Sequence, residues 1–191
     1  SMAGPLVAVI LAPISCEMIC DKEVFPNPGG PLKSTCSSGS FLCWAACIAI
    51  TVALVILALL FGDGGITAIG ANCFNMAFIL PFAGYYIYRL ISYKAPLNSK
   101  RRIIASGVAG YLALTLAALF TGIELGLQLL LHQLPSGQAF YFPYGLKVAL
   151  QVMLGGHLLA IGWVEAVMTG LVIKYLQKYS PELFAESKGN F

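Results

Sequence analysis

The sequence predicts an all-α fold, a polytopic transmembrane helical bundle with four strong spans and a weak N-terminal hydrophobic segment. Three observations carry that reading. The chain is 59% hydrophobic and 10% charged, whereas soluble domains are roughly 25% charged. So few charges cannot clothe a water-facing surface, and lipid is the environment that accepts the apolar excess. The apolar residues fall into four runs long enough to cross a bilayer, and the basic residues gather in one loop and at one helix end.

The first span is Phe41–Phe61, 21 residues without a charge. It covers a hydrocarbon core of ~30 Å at about 1.5 Å per residue. Gly62, Asp63, Gly64 and Gly65 then make a polar turn. The second span runs from about Ile66 to Ile91. Asn72 and Asn75 lie three apart on one face, and amides at membrane depth point that face into the protein. Pro81 falls mid-span and kinks the helix or ends one half of it. A tyrosine cluster with Arg89 closes the span as an interfacial belt.

Ser92–Arg102 is a loop carrying Lys94, Lys100, Arg101 and Arg102. The third span, about Ile103–Leu131, has Ser106, Gly107 and Gly110 closely spaced, which suits tight helix contact. His132–Tyr141 reads as a polar loop with Pro135 and Gly137. The fourth span covers about Tyr144–Leu176, too long for one upright crossing and so expected to tilt. Residues 1–40 differ: an 11-residue apolar stretch with two prolines, too short to span, precedes a Pro/Gly-rich loop. Two regions result. Residues 1–40 form an atypical N-terminal region, mostly loop, and residues 41–191 form a transmembrane helical domain with a short tail. The positive-inside rule places the Ser92–Arg102 loop and the tail in the cytoplasm.

The net charge of +3 comes without a basic stripe interleaved with aromatics, so nucleic acid is not the expected partner. The six cysteines, Cys16, Cys20, Cys36, Cys43, Cys47 and Cys73, contain no C-x-x-C pair and read as apolar filler. Met76 and Met153 read as packing residues for the same reason. The ionisable candidates at membrane depth are Asp63, Glu124, His157 and Glu165. His157 and Glu165 are eight apart, ~12 Å along a helix axis, too far to share one ion unaided. Each is therefore expected to bond to a neighbouring helix. Asp63 is expected to cap the helix that follows. Ser106 with His157 is the pair an intramembrane hydrolase would use, but no G-x-S-x-G elbow accompanies it.

Three stretches carry a resemblance. They are ALLFGDGGITAIGANCFNMAFILPFAGYYIYRLI over 58–91, GVAGYLALTLAALFTGIELGLQ over 107–128, and FPYGLKVALQVMLGGHLLAIGWVEAVMTGLVIKYLQKYSPEL over 142–183. Together they resemble the substrate-binding membrane subunit of cobalt and nickel energy-coupling-factor transporters, the CbiM/NikM family. The resemblance implies a subunit of a prokaryotic plasma (inner) membrane that captures Co²⁺ or Ni²⁺ from outside. It implies as partners an ECF transmembrane coupling subunit, ATP-binding subunits and a small auxiliary membrane subunit. The ion is cargo, and no cofactor is expected. No G-x-x-x-x-G-K-[ST] loop occurs here, so the partners would hydrolyse the ATP. The resemblance puts the ion near the outer face, under the Asp63 turn and the Asn72/Asn75 helix. The metal-site candidates are thus Asp63, Asn72, Asn75, His157 and Glu165. The faces rich in small residues are expected to meet the coupling subunit.

The sequence departs from the family at its start. Family members open Met-His-Ile-Pro-Asp-Gly, and their terminal amine and second-position histidine ligate the metal. A further ligating histidine follows a P-x-P-G-G-T-S segment. This chain opens SMAGPLVAVI, and PNPGG at 26–30 is followed by PLKSTCSSGSFLCW without a histidine. The N-terminal quarter therefore reads as truncated, diverged or shifted in frame. The chain as written is expected to bind Ni²⁺ or Co²⁺ weakly or not at all, which leaves a degenerate or structural membrane subunit as the alternative.

Overall fold

The computed structural model describes residues 35–62, 66–96, 98–131, 133–139 and 142–179. Four long helices account for nearly all of them: α1 Thr35–Phe61, α2 Ile66–Ser92, α3 Lys100–Leu131 and α4 Leu146–Tyr179. Each is long and apolar enough to cross a membrane. α1 starts six residues ahead of the apolar run, inside the stretch read as loop. The apolar segment before it and the tail after Tyr179 lie outside the described residues. The 34 residues of α4 measure ~51 Å at the usual helical rise, so α4 tilts or projects beyond a ~30 Å core.

α3 is the central helix, packed against α2 on one side and α4 on the other. Its sequence explains why. Its buried positions are mostly Ala and Gly, and small residues let backbones approach where lipid offers no hydrophobic drive between helices. A β-carbon on Gly107 would stand 2.8 Å from the Ala166 carbonyl oxygen, and one on Gly126 would press into the backbone of Leu146. Gly122 meets Leu150 and Gly170 meets Ile103, so α3 and α4 run antiparallel in one register. The glycines expected to face a coupling subunit are therefore occupied inside the chain. The other side of α3 places Ala105 and Ala109 against Tyr88, Ile87 and Ile91 of α2.

α1 packs on the middle of α2 through Cys43, buried against Tyr85 and Phe82. Trp44 adds edge contact to Phe82 at 5.6 Å between ring centroids. Cys43 and Cys47 are buried and Cys73 is half-buried, all as free thiols. The outward faces carry bare apolar side chains such as Leu60, Leu90 and Leu159, as a lipid-facing surface requires.

The α2–α3 connection is tight. Arg102 is buried and donates from Nε and Nη2 to the Ala95 carbonyl, both at 3.1 Å, and from Nη1 to the Tyr88 hydroxyl. Arg101 donates to the Ile91 carbonyl at 2.8 Å. This clamp holds Lys94 at φ 57°, the left-handed region that disfavours residues with a β-carbon.

Candidate functional site

α2 is not a uniform α-helix. Over Cys73–Ile79 it widens into a π-helical segment, and the Leu80 N–H reaches back five residues to the Asn75 carbonyl. Pro81 sits at the start of the α-helical half that follows. Its ring supplies no N–H and crowds the carbonyl four residues back, and the wider turn relieves both problems. The predicted break at Pro81 is thus a change of hydrogen-bond register.

That segment carries the candidate pair. Asn75 is 2% exposed, and its Nδ2 donates to Oε2 of Glu124 on α3 at 2.7 Å. Phe74 and Phe120 flank the crossing, 6.1 Å apart. The Asn75 Oδ1 is buried and has no hydrogen-bond partner among the described residues. A buried amide oxygen without a donor is costly, by about 1–3 kcal/mol. Oxygen donors of this kind, an amide and a carboxylate, suit a divalent cation. Asn72 lies three residues earlier and is half-buried. Asp63, and with it the expected cap, lies outside the described residues.

α4 has a π-helical turn of its own, His157–Ile161. The Gly162 N–H reaches back to the His157 carbonyl and bypasses Leu158. The Leu158 carbonyl instead accepts the Tyr111 hydroxyl of α3 at 3.0 Å. Gly162 makes the space, since a β-carbon there would lie 2.8 Å from the Tyr111 ring. Nothing in the sequence singled out Tyr111; the one clue is a phenol in a span, where its hydroxyl must find an acceptor.

The expectation that His157 and Glu165 bond to neighbouring helices is corrected. The His157 Nδ1 lies 2.8 Å from the Met153 carbonyl of its own helix. Glu165 accepts from the Thr169 hydroxyl one turn on, at 3.2 Å, and its stem packs over Gly110. Intrahelical partners won because both side chains sit four residues from an acceptor or donor on their own face. Ser106 donates to the Ile103 carbonyl at 2.8 Å, so neither half of a Ser–His pair is directed at the other. Among the described residues, no three His, Cys, Asp or Glu side chains come together as a metal cluster. Of the proposed ligands among the described residues, the structure joins only Asn75 to another candidate, Glu124.

Residues 34–183 match the family described as the cobalt uptake substrate-specific transmembrane region. The chain belongs to this CbiM family. Among its relatives, the probable fused nickel transport protein LarMN of Lactiplantibacillus plantarum is 45% identical over 161 residues, 82% of this chain and 47% of the relative. The fused nickel transport protein NikMN of Rhodobacter capsulatus is 40% identical over 95% of this chain and 52% of its own length. The chain thus spans about half the length of these two relatives. A crystal structure of a transition metal transporter matches with a TM-score of 0.68 and 38% identity, covering 97% of this chain and 95% of the other. As a CbiM-family member of four long apolar helices, the chain is a multi-pass membrane protein.

Proposed function

We propose that the chain is the substrate-specific membrane component of an ATP-driven uptake system for Co²⁺ or Ni²⁺. The family match over residues 34–183 supports it. The observation that carries it is the Asn75–Glu124 pair, an amide and a carboxylate joined at 2.7 Å inside two apolar helices. Ionisable groups at that depth are costly and are kept where an ion or a proton passes. The π-helical segment aims the amide at the carboxylate. The unpartnered Oδ1 is left as a donor for a cation entering from the Asp63 end of α2. Partner subunits, a transmembrane coupling protein and ATPases, supply the energy, and the basic α2–α3 loop and the tail face the cytoplasm.

A second reading is a scaffold subunit without its own metal capture. It is favoured by one observation, the lack of a three-ligand cluster among the described residues. Radiolabelled nickel and cobalt accumulation separates the two. Cells lacking their own uptake route would carry the chain with family coupling and ATPase subunits. The uptake reading expects accumulation that needs both the chain and ATPase activity. Accumulation no higher than in cells without the chain would leave the scaffold reading.

A further inference from the structure

α1 and α2 do not meet flush along the π-helical segment. Between them lies a cavity of about 320 Å³, whose wall includes Trp44, Cys47, Ile48 and Thr51 from α1 and Cys73 and Phe78 from α2. Trp44, Ile48 and Phe78 are exposed, so the cavity opens to the outside of the bundle. The wall is apolar except for the two thiols, the Thr51 hydroxyl and the Trp44 indole. The hydroxyl donates to the Cys47 carbonyl at 2.7 Å, and an indole N–H can only donate. Sulfur is therefore the ligand chemistry this wall offers.

The two sulfurs come from different helices. Cys47 lies on α1, and Cys73 is the first residue of the π-helical segment that carries Asn75. Both are free thiols. Cys43, one turn before Cys47, is buried instead against Tyr85 and Phe82 and does not line the cavity.

The donor set narrows the ligand. Thiolate sulfur selects soft cations. Zinc takes four ligands, and among the described residues no three His, Cys, Asp or Glu side chains gather. That leaves a cation content with two sulfurs. A net charge against an apolar wall is costly, and a thiol pair avoids it. A soft divalent cation displaces both S–H protons to solvent, and two metal–sulfur bonds replace two S–H bonds in a neutral dithiolate. A univalent one displaces a single proton and keeps the other thiol as a neutral donor.

We infer that this cavity is a binding site for a soft, two-coordinate cation such as Cu⁺ or Hg²⁺, held between Cys47 of α1 and Cys73 of α2. The ion ties α1 to the segment that aims Asn75. Any effect of that tie on uptake rests on the proposed function, whereas the binding does not.

Native mass spectrometry of the full detergent-solubilised chain with Hg²⁺ in chloride buffer tests this. Cys16→Ser, Cys20→Ser and Cys36→Ser are introduced first, leaving Cys43, Cys47 and Cys73. One mercury should bind per chain without chloride, with a mass gain of mercury less two protons. Cys47→Ser or Cys73→Ser should each convert this to a one-thiol adduct that keeps chloride and loses one proton. Cys43→Ala should leave the bridged adduct intact, and Zn²⁺ should leave no adduct. If Cys47→Ser folds poorly, Cys73→Ser carries the test alone. A chloride-bearing adduct on the parent chain would overturn the inference. A bridged adduct persisting in Cys73→Ser would also overturn it, in favour of a clamp within α1 by Cys43 and Cys47.

Discussion

Gly126 and Gly155 are both glycines in long helices, yet they carry opposite expectations. At Gly126 a β-carbon runs into the backbone of Leu146, whereas at Gly155 nothing lies within 4 Å. Gly126→Ala should destabilise the bundle by about 1–3 kcal/mol, the scale of overpacking in a close-packed interior. Gly155→Ala should be neutral or gain up to about 1 kcal/mol, because alanine is the better helix former. Thermal unfolding in detergent separates them, the first variant melting below the parent chain and the second not. The same scale explains the limits of reading the site from residues alone. The sequence offers Asn75 and Glu124 as polar groups in apolar spans, and burial demands that each find a partner. That the partner is the other, 49 residues away, depends on how α2 and α3 cross, and spacing does not record it.

The four helices were legible because apolar runs of membrane length leave few alternatives in composition. The boundaries of α2, α3 and α4 moved by one to three residues, with α3 opening at Lys100 and α4 ending at Tyr179, while α1 starts six residues early at Thr35. The π-helical turns were not legible. Each changes hydrogen-bond register without changing composition, and only Pro81 marks one of them in advance. The α4 turn alters which carbonyls are free, and Tyr111 takes a partner that helical periodicity does not foretell. Tyr111→Phe tests that element directly. It leaves the Leu158 carbonyl without its phenolic donor, and interhelical bonds of this kind are worth about 0.6–2 kcal/mol. The variant should melt lower, with faster amide exchange confined to residues around His157–Ile161. Exchange unchanged there would show that the turn does not depend on the tyrosine.

At the scale of the whole molecule, α3 divides the bundle into two jobs. Toward α4 it offers glycines and makes a tight seam. Toward α2 it offers alanines and, near its far end, Glu124. The polar pair sits toward the end of α3 away from its basic start at Lys100 and Arg101. On the proposed function, the ion would enter from the end that carries the pair. The measurement that most directly tests the metal-uptake account is nickel and cobalt accumulation by Glu124→Gln in cells holding the full set of subunits. Glutamine keeps an oxygen that accepts from the Asn75 amide, so the crossing survives and the protein reaches the membrane at the parent level. The account predicts that accumulation falls at least tenfold, because the ionisable group on the ion's route is gone. Accumulation at the parent rate, with the variant equally abundant in the membrane, would contradict it.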